Sequence, residues 1–458
     1  MARQGLKSSE SRFAAYVEGL VSVIGHKDRA QPLRDYCAGL MLPCERKSVE
    51  PIAAVTAPAR VAAQHQSLLH FVGEGRWLDE KVLAKVRELV LPEIERHGPI
   101  EAWIIDDTGL PKKGRHSVGV ARQYCGQLGK EDNCQVAVSL SIANEHASLP
   151  VAYRLYLPQE WTQDGDRLRK AGVPEDIDFK TKHEIALEQL RWACAAGLPR
   201  GVGLLDAGYG NNSELRAQIA ALGLRYVAGI LSNTTVWAPG THPLPAKKWS
   251  GRGRPTKRLR RDATHQPVSV KELALALPKR AWRTVTWREG TAEQLSSRFA
   301  RVRVRAARRD FARSESRPEE WLLIEWPKGE KEPTKYWFSN LSADIALQDL
   351  VYFAKLRTQA GGRTRPFRGP RMARFPSPRH TMHRGLRIPD LRASDDSPLS
   401  SAFHRDARDV CRTRRLPTQR LRRCGPNGIF RTRSRPCADG SLQLSFRRCR
   451  DAHAAPRR

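Results

Sequence analysis

Two short apolar runs, one hundred residues apart, each lead directly into an aspartate. Residues 103–105 precede Asp106 and Asp107, and residues 202–205 precede Asp206. Both runs are too short and too apolar for helices, so each predicts a buried strand that ends in a glycine-containing turn. Carboxylates at neighbouring strand ends can hold Mg²⁺, because rigid backbone fixes their spacing. One more carboxylate would complete a two-metal site for phosphoryl transfer.

The aspartates also have a structural explanation, since Asp107 and Thr108 are residue types that commonly open a turn. The alternative to a shared site is thus two unrelated turn aspartates, and the order of elements shows whether they can meet. The patterns predict strands at 116–124, 134–143 and 151–157, then a helix at 181–196, the strand before Asp206 and a helix at 213–222. This order fits a mixed α/β sheet in which Asp106 and Asp206 lie on neighbouring strands.

Four segments around the aspartates form a longer and more specific pattern. They are residues 106–126, 129–136, 155–161 and 206–210. Together they resemble the DDE transposases of bacterial insertion sequences, and within them the insertion-sequence family numbered seven-oh-one. The resemblance covers roughly residues 12 to 357. It implies an RNase H-like fold and Mg²⁺-dependent DNA strand cleavage and strand transfer.

The resemblance assigns catalytic and metal-binding roles to Asp106 and Asp206. The family pattern Asp-x-Thr favours Asp106 over Asp107, which would lie beside the metals or bind the turn. Tyr209 and Asn211 would shape the site; alternatively, Tyr209 packs and Asn211 caps the following helix. Four nearby basic residues can hold phosphate or can simply be solvated charges. These are Lys112, Lys113, Arg115 and Arg122.

The third carboxylate of the pattern is missing. The family places it on a helix with the spacing Tyr, two residues, Arg, three residues, Glu. A helix is predicted at 346–357, where Arg357 fits the Arg position, Ala354 replaces Tyr and Gly361 replaces Glu. Glu289 and Glu325 are weak candidates for a substitute. Mg²⁺ is therefore the implied cofactor, with an impaired site in this chain.

The last hundred residues differ in composition from the rest. Residues 359–458 contain 25 Arg and 7 Asp, but no Lys, Glu, Tyr or Trp, in a chain of net charge +32. Their apolar content is too low for a core, so a disordered tail is predicted. Codons shifted by one base after Arg357 can encode ELKQEVGLGHFEGRGWRGFHHHAT, which resembles the family's continuation. A small deletion that removed the glutamate and shifted the frame accounts for both observations.

The chain is predicted to contain five parts. They are a helical N-terminal domain (1–98), the first part of an RNase H-like core (99–230), a β-rich insertion (231–335), a core strand with a truncated catalytic helix (336–357) and the Arg-rich tail (358–458). The N-terminal domain either binds the element ends or is an ordinary cap. Arg252 and Arg254 lie in a Gly-Arg-Gly-Arg-Pro loop that can enter an A·T-rich minor groove or be a mobile solvated loop.

Charge and cysteine usage complete the expectations. The net charge favours a polyanionic partner, and the nine cysteines lack zinc-site spacing, which is typical of a reducing cytoplasm. No membrane span or signal peptide is recognised, so a cytoplasmic, nucleoid-associated protein is expected. Its expected partner is double-stranded DNA, namely the element terminal repeats and the target DNA. In one arrangement, two copies of the chain bind this DNA as a homodimer. The prediction is a transposase by ancestry, inactive in this copy; the alternative is a non-catalytic DNA-binding remnant, so enzymatic activity stays open.

Overall fold

The computed structural model describes residues 8–44, 46–252, 254, 257–289 and 294–363. The part of the predicted tail that follows residue 363 therefore lies outside the described residues. In the described part of the N-terminal region, five helices follow one another: α1 (Ser9–Val21), α2 (Ala30–Met41), α3 (Val49–Thr56), α4 (Val61–Gly73) and α5 (Asp79–Glu95). Ser8 begins α1, because its hydroxyl accepts a hydrogen bond from the Ser11 amide at 3.1 Å. Val17 and Leu20 on α1 and Leu33 on α2 are buried.

Twelve strands of the described residues form one mixed sheet. The first six are β1 (Ala102–Pro111), β2 (Ala121–Cys125), β3 (Lys130–Ala143), β4 (Ser148–Tyr156), β5 (Val202–Leu205) and β6 (Tyr226–Ile230). The others are β7 (Thr235–Trp237), β8 (Val268–Ser269), β9 (Arg283–Glu289), β10 (Gln294–Ala306), β11 (Glu320–Trp326) and β12 (Lys335–Ser339). The strand predicted from residue 116 begins only at Ala121.

The centre of the sheet has the order β4-β3-β1-β5-β6. β4, β3 and β1 are antiparallel neighbours, whereas β1, β5 and β6 are parallel. This mixed α/β arrangement agrees with the RNase H-like fold that the resemblance implies. Residues 231–335 are rich in strands, and β10 and β11 join β12 to extend the same sheet.

Helices cover both faces of the sheet. The remaining ones are α6 (Gln159–Thr162), α7 (Gly165–Lys170), α8 (Lys182–Ala195), α9 (Ala207–Gly210), α10 (Ser213–Ala221), α11 (Val270–Ala276) and α12 (Leu347–Arg363). Ile105 packs in the cluster that contains α8 and the N-terminal helices. Ile104 packs in the cluster that contains α12. Because successive strand residues point to opposite faces, this alternation determines where the residues after Ile105 point.

β1 does not end at its aspartates, so the predicted turn at Thr108 and Gly109 is wrong. Residues 102–111 pair with β3 along their whole length, whereas the pairing of β1 with β5 stops at Ile104 and Leu204. Gly109 serves close packing, since a Cβ there would lie 2.8 Å from the sulfur of Cys125. Of the two aspartate-bearing strands, only β5 ends at its aspartate.

Candidate functional site

Asp106 and Asp206 lie side by side and share one cationic partner. Ile104 on β1 is paired with Leu204 on the parallel strand β5, so Asp106 lies two residues further along β1 and Asp206 directly follows the end of β5. Arg357 Nη2 donates a hydrogen bond to Asp106 Oδ1 at 2.9 Å and lies 3.4 Å from Asp206 Oδ2. One guanidinium nitrogen therefore connects the two carboxylates.

The backbone around Asp206 explains the Asp-Ala-Gly-Tyr-Gly sequence. Asp206 begins α9, and its Oδ1 accepts a hydrogen bond from the Tyr209 amide at 3.1 Å. Gly208 lies against the carboxylate, where a Cβ would be 3.1 Å from Asp206 Oδ1. Gly210 lies against β6, where a Cβ would be 2.2 Å from the carbonyl oxygen of Gly229. The two glycines therefore allow the turn to pack closely beside the aspartate.

Asp107 points to the opposite face of the sheet from Asp106. Asp106 shares the face of Ile104 and α12, whereas Asp107 shares the face of Ile105 and α8. Its carboxylate accepts hydrogen bonds from the Tyr209 hydroxyl and from Lys182 Nζ, the latter at 2.7 Å. The charge of Asp107 is thus balanced by Lys182, and its geometry favours an anchoring contact for α8 and α9.

Burial shifts the pKa of two residues in this region. Burial raises the pKa of Asp106 above its ordinary value, the Arg357 guanidinium opposes that rise, and the Asp206 carboxylate adds to it. Burial and the Asp107 carboxylate together raise the pKa of Tyr209. Tyr209 is therefore a neutral hydrogen-bond donor at neutral pH.

A buried ion pair fixes α12 near Arg357. Lys355 Nζ lies 2.6 and 2.7 Å from the two carboxylate oxygens of Glu325. It also lies 4.2 Å from the centre of the Trp287 ring, within reach of a cation–π interaction. Because Lys355 pairs with Glu325 in the interior, the hypothesis that Glu325 replaces the missing ligand is wrong. The Glu289 side chain lies outside the described residues.

Gly361 lies on α12, one turn after Arg357, so its position is on the same face of the helix. Glycine provides no ligand there. Among the described residues, no group of three or more His, Cys, Asp or Glu side chains could hold a metal ion. Two carboxylates with a guanidinium between them do not fit a divalent-metal centre.

The other predicted site residues lie on loops and edges. Lys113, Arg115, Arg122, Arg252 and Arg254 are exposed, and Lys112 is half-buried. Asn211 does not cap the following helix, since the cap of α10 is Asn212. The Asn211 side-chain oxygen instead accepts a hydrogen bond from Thr234 Oγ1 at 2.7 Å.

Sequence patterns identified the two aspartates but missed the contacts of Lys182 and Arg357. Lys182 is 75 residues from Asp107, and Arg357 is 251 residues from Asp106. The family spacing marked Arg357, but no local pattern indicates that its guanidinium meets the aspartates.

Within the described residues, no helix combines the length and apolar character needed to cross a membrane.

Comparisons with known proteins identify what the chain is similar to. A family model described as DDE superfamily endonuclease matches residues 19–294. The matched region includes Asp106 and Asp206 and stops before α12. A curated protein from Microchaete diplosiphon, described as probable transposase for insertion sequence element IS701, is 30% identical over 212 residues, which are 46% of this chain and 51% of that protein. The match therefore spans about half the length of this relative.

Proposed function

The chain belongs to the DDE superfamily endonucleases, and from this premise we propose that it is an insertion-sequence transposase by ancestry whose present copy does not cleave DNA. The observation that carries the proposal is the contact of Arg357 with both Asp106 and Asp206. In an intact site of this class, paired Mg²⁺ ions held by three carboxylates stabilise the attacking and the leaving oxygen. Here one of the three positions is Gly361, and a guanidinium lies between the other two.

Double-stranded DNA is the proposed partner, through element ends and target DNA. The net charge of +32 supports a polyanionic partner, because Lys and Arg release counterions from phosphates. Exposed Lys113, Arg115 and Arg122 lie on the β1–β2 loop and on β2, where they would contribute phosphate contacts. Binding of element ends by the N-terminal helices, a homodimer on DNA and a cytoplasmic, nucleoid-associated location are part of the same proposal.

A second candidate is a DNA-binding remnant without chemistry, which still occupies the element ends. The contact of Arg357 with both aspartates favours this candidate as well, because it leaves the chain without a metal site for cleavage. The basic surface that binds DNA does not depend on that site. Binding would then be salt-sensitive and independent of Mg²⁺. Asp106→Ala would leave the salt dependence unchanged, whereas replacing Lys113 and Arg115 together would weaken binding.

A cleavage assay tests the proposal. The 458-residue chain and a version with the reading frame repaired after Arg357 are compared on DNA that carries the flanking element ends, with and without Mg²⁺. Cleavage by the repaired chain alone, lost on Asp106→Ala or Asp206→Ala, is the expected result. Cleavage by the 458-residue chain would contradict its proposed inactivity. Sequencing the gene tests the deletion, because codons that cannot encode the shifted string reject it.

A further inference from the structure

We propose that, with glycine at position 361, the Arg357 guanidinium is the resident cation of the Asp106–Asp206 pair, so that these two carboxylates alone do not bind a divalent ion while residue 357 keeps its charge. The inference rests on the proposed function only for the ancestry of the carboxylate pair. Its own evidence is the geometry of three side chains, and its test requires no DNA.

The first step is the charge of the cluster. Asp106 on β1 and Asp206, which directly follows β5, both reach the same nitrogen of Arg357, and two carboxylates held this close repel each other unless a cation lies between them. Arg357 Nη2 is 2.9 Å from one carboxylate and 3.4 Å from the other, so it occupies the place of a shared cation. On the opposite face, Asp107 already has Lys182 as its partner.

The second step is that α12 keeps Arg357 in place. Leu350, Val351, Ala354 and Leu356 are buried in the cluster that contains Ile104 and Leu204. The Lys355–Glu325 ion pair fixes the helix two residues before Arg357. The backbone of Arg357 therefore cannot withdraw from the carboxylates without breaking this packing.

The Arg357 guanidinium and a divalent metal ion would compete for the same position. The Arg357 side chain is 27% exposed, and its Nε is buried without a hydrogen-bond partner among the described residues. An entering divalent ion would have to break the charge-assisted contact to Asp106 and then remain beside a half-buried positive group. Arginine cannot relieve this repulsion by losing its proton, so the guanidinium and a divalent ion exclude each other where only two carboxylates are present.

The experiment measures Mn²⁺ binding to the full 458-residue chain, by the loss of the free Mn²⁺ signal in electron paramagnetic resonance, together with thermal unfolding with and without Mg²⁺. Arg357→Gln removes the charge and keeps a polar side chain. Arg357→Lys keeps a charge at the position. Arg357→Gln with Asp206→Asn removes the carboxylate pair as well. Arg34→Gln is the matched control, because it breaks an arginine–carboxylate pair with Glu18 in the N-terminal helices.

The expected result is at least tenfold tighter Mn²⁺ binding by Arg357→Gln than by the native chain, with an unfolding temperature that Mg²⁺ raises in this variant alone. Arg357→Lys, Arg34→Gln and the double variant should behave like the native chain toward both ions. If Arg357→Gln is unfolded without metal, Mn²⁺ should restore its helical circular dichroism signal.

Three results would overturn the inference. They are equal Mn²⁺ affinity of native and Arg357→Gln chains, a gain that persists in the double variant, and no recovery of an unfolded variant by Mn²⁺. Each is independent of the cleavage assay, which tests the proposed function by itself. A native chain that binds no Mn²⁺ at the pair but cleaves DNA would contradict the proposed function and leave the cation assignment intact.

Discussion

Two cationic side chains, two residues apart on α12, have opposite surroundings. Lys355 meets a single carboxylate, Glu325, and the two side chains are only 8% and 5% exposed. Arg357 meets two carboxylates whose side chains are 41% and 37% exposed. The first cluster balances its charge inside the protein, whereas the second leaves one negative charge in excess at a surface.

The difference indicates what each cluster is for. A balanced pair, enclosed by Trp287, Phe299 and Trp337, gains nothing from solvent access and acts as a structural anchor. A half-exposed pair of carboxylates in excess of its cation has the charge and the solvent access that a binding site for a cationic ligand requires. Helix α12 thus combines a buried anchor at Lys355 with a half-exposed charge cluster at Arg357.

Lys355→Met should have the largest effect on stability. The change leaves the Glu325 carboxylate buried without a partner, which costs about 3–5 kcal/mol. Urea denaturation of the native and variant chains measures the difference. In the control, Lys355→Met with Glu325→Leu removes both charges and should recover most of the loss. A loss below about 1 kcal/mol would place this pair with exposed ion pairs and remove the contrast with Arg357.

Tyr209→Phe should have an intermediate effect, because Asp107 would lose a hydrogen bond while keeping Lys182. A hydrogen bond to a charged group contributes about 1.5–3 kcal/mol. The pH dependence gives a second test. Since the pKa of Tyr209 is raised in the folded state above its ordinary 10.0, its contribution is fully present below pH 10 and is lost at higher pH as the unfolded state ionises first.

The stability of the Tyr209→Phe variant should therefore fall less steeply than that of the native chain as the pH rises above 10. Denaturation at pH 7, 9 and 10.5 compares the two slopes. Identical slopes would mean that Tyr209 is not the protonated donor to Asp107. Asp107→Asn is the matched change on the acceptor side and should weaken the same contact at pH 7.

The sequence allowed the central strands and the pairing of Asp106 with Asp206 to be predicted, because buried strands have a strong local pattern. The end of β1 was mispredicted, because glycine is a common turn residue. In the structure, Gly109 is required by close packing against Cys125. Pairing with β3 over residues 102–111 then overrides the turn signal. A local sequence pattern gives the residue types in a segment, but not which distant residues pack against that segment in the folded chain.

The partners of the charged residues could not be predicted, because they come together only in the folded chain. Lys182 begins α8 and meets Asp107 on the face of the sheet that α8 covers, and the sequence around neither residue indicates the other. The helix predicted to stop at Arg357 continues to Arg363. This extension places Gly361 on the helix, where glycine provides no carboxylate.

Arg357→Gln should have the smallest effect on stability of the three changes. Its partners stay partly solvated, and exposed ion pairs contribute about 0–1 kcal/mol, so urea denaturation should give a loss within that range. Arg357→Lys, which keeps the charge, is the control and should lose less. A loss as large as that of Lys355→Met would show that the carboxylate pair depends on its cation as strongly as Glu325 does. The pair would then be a structural element, and the contrast between the two ends of this short segment of α12 would disappear.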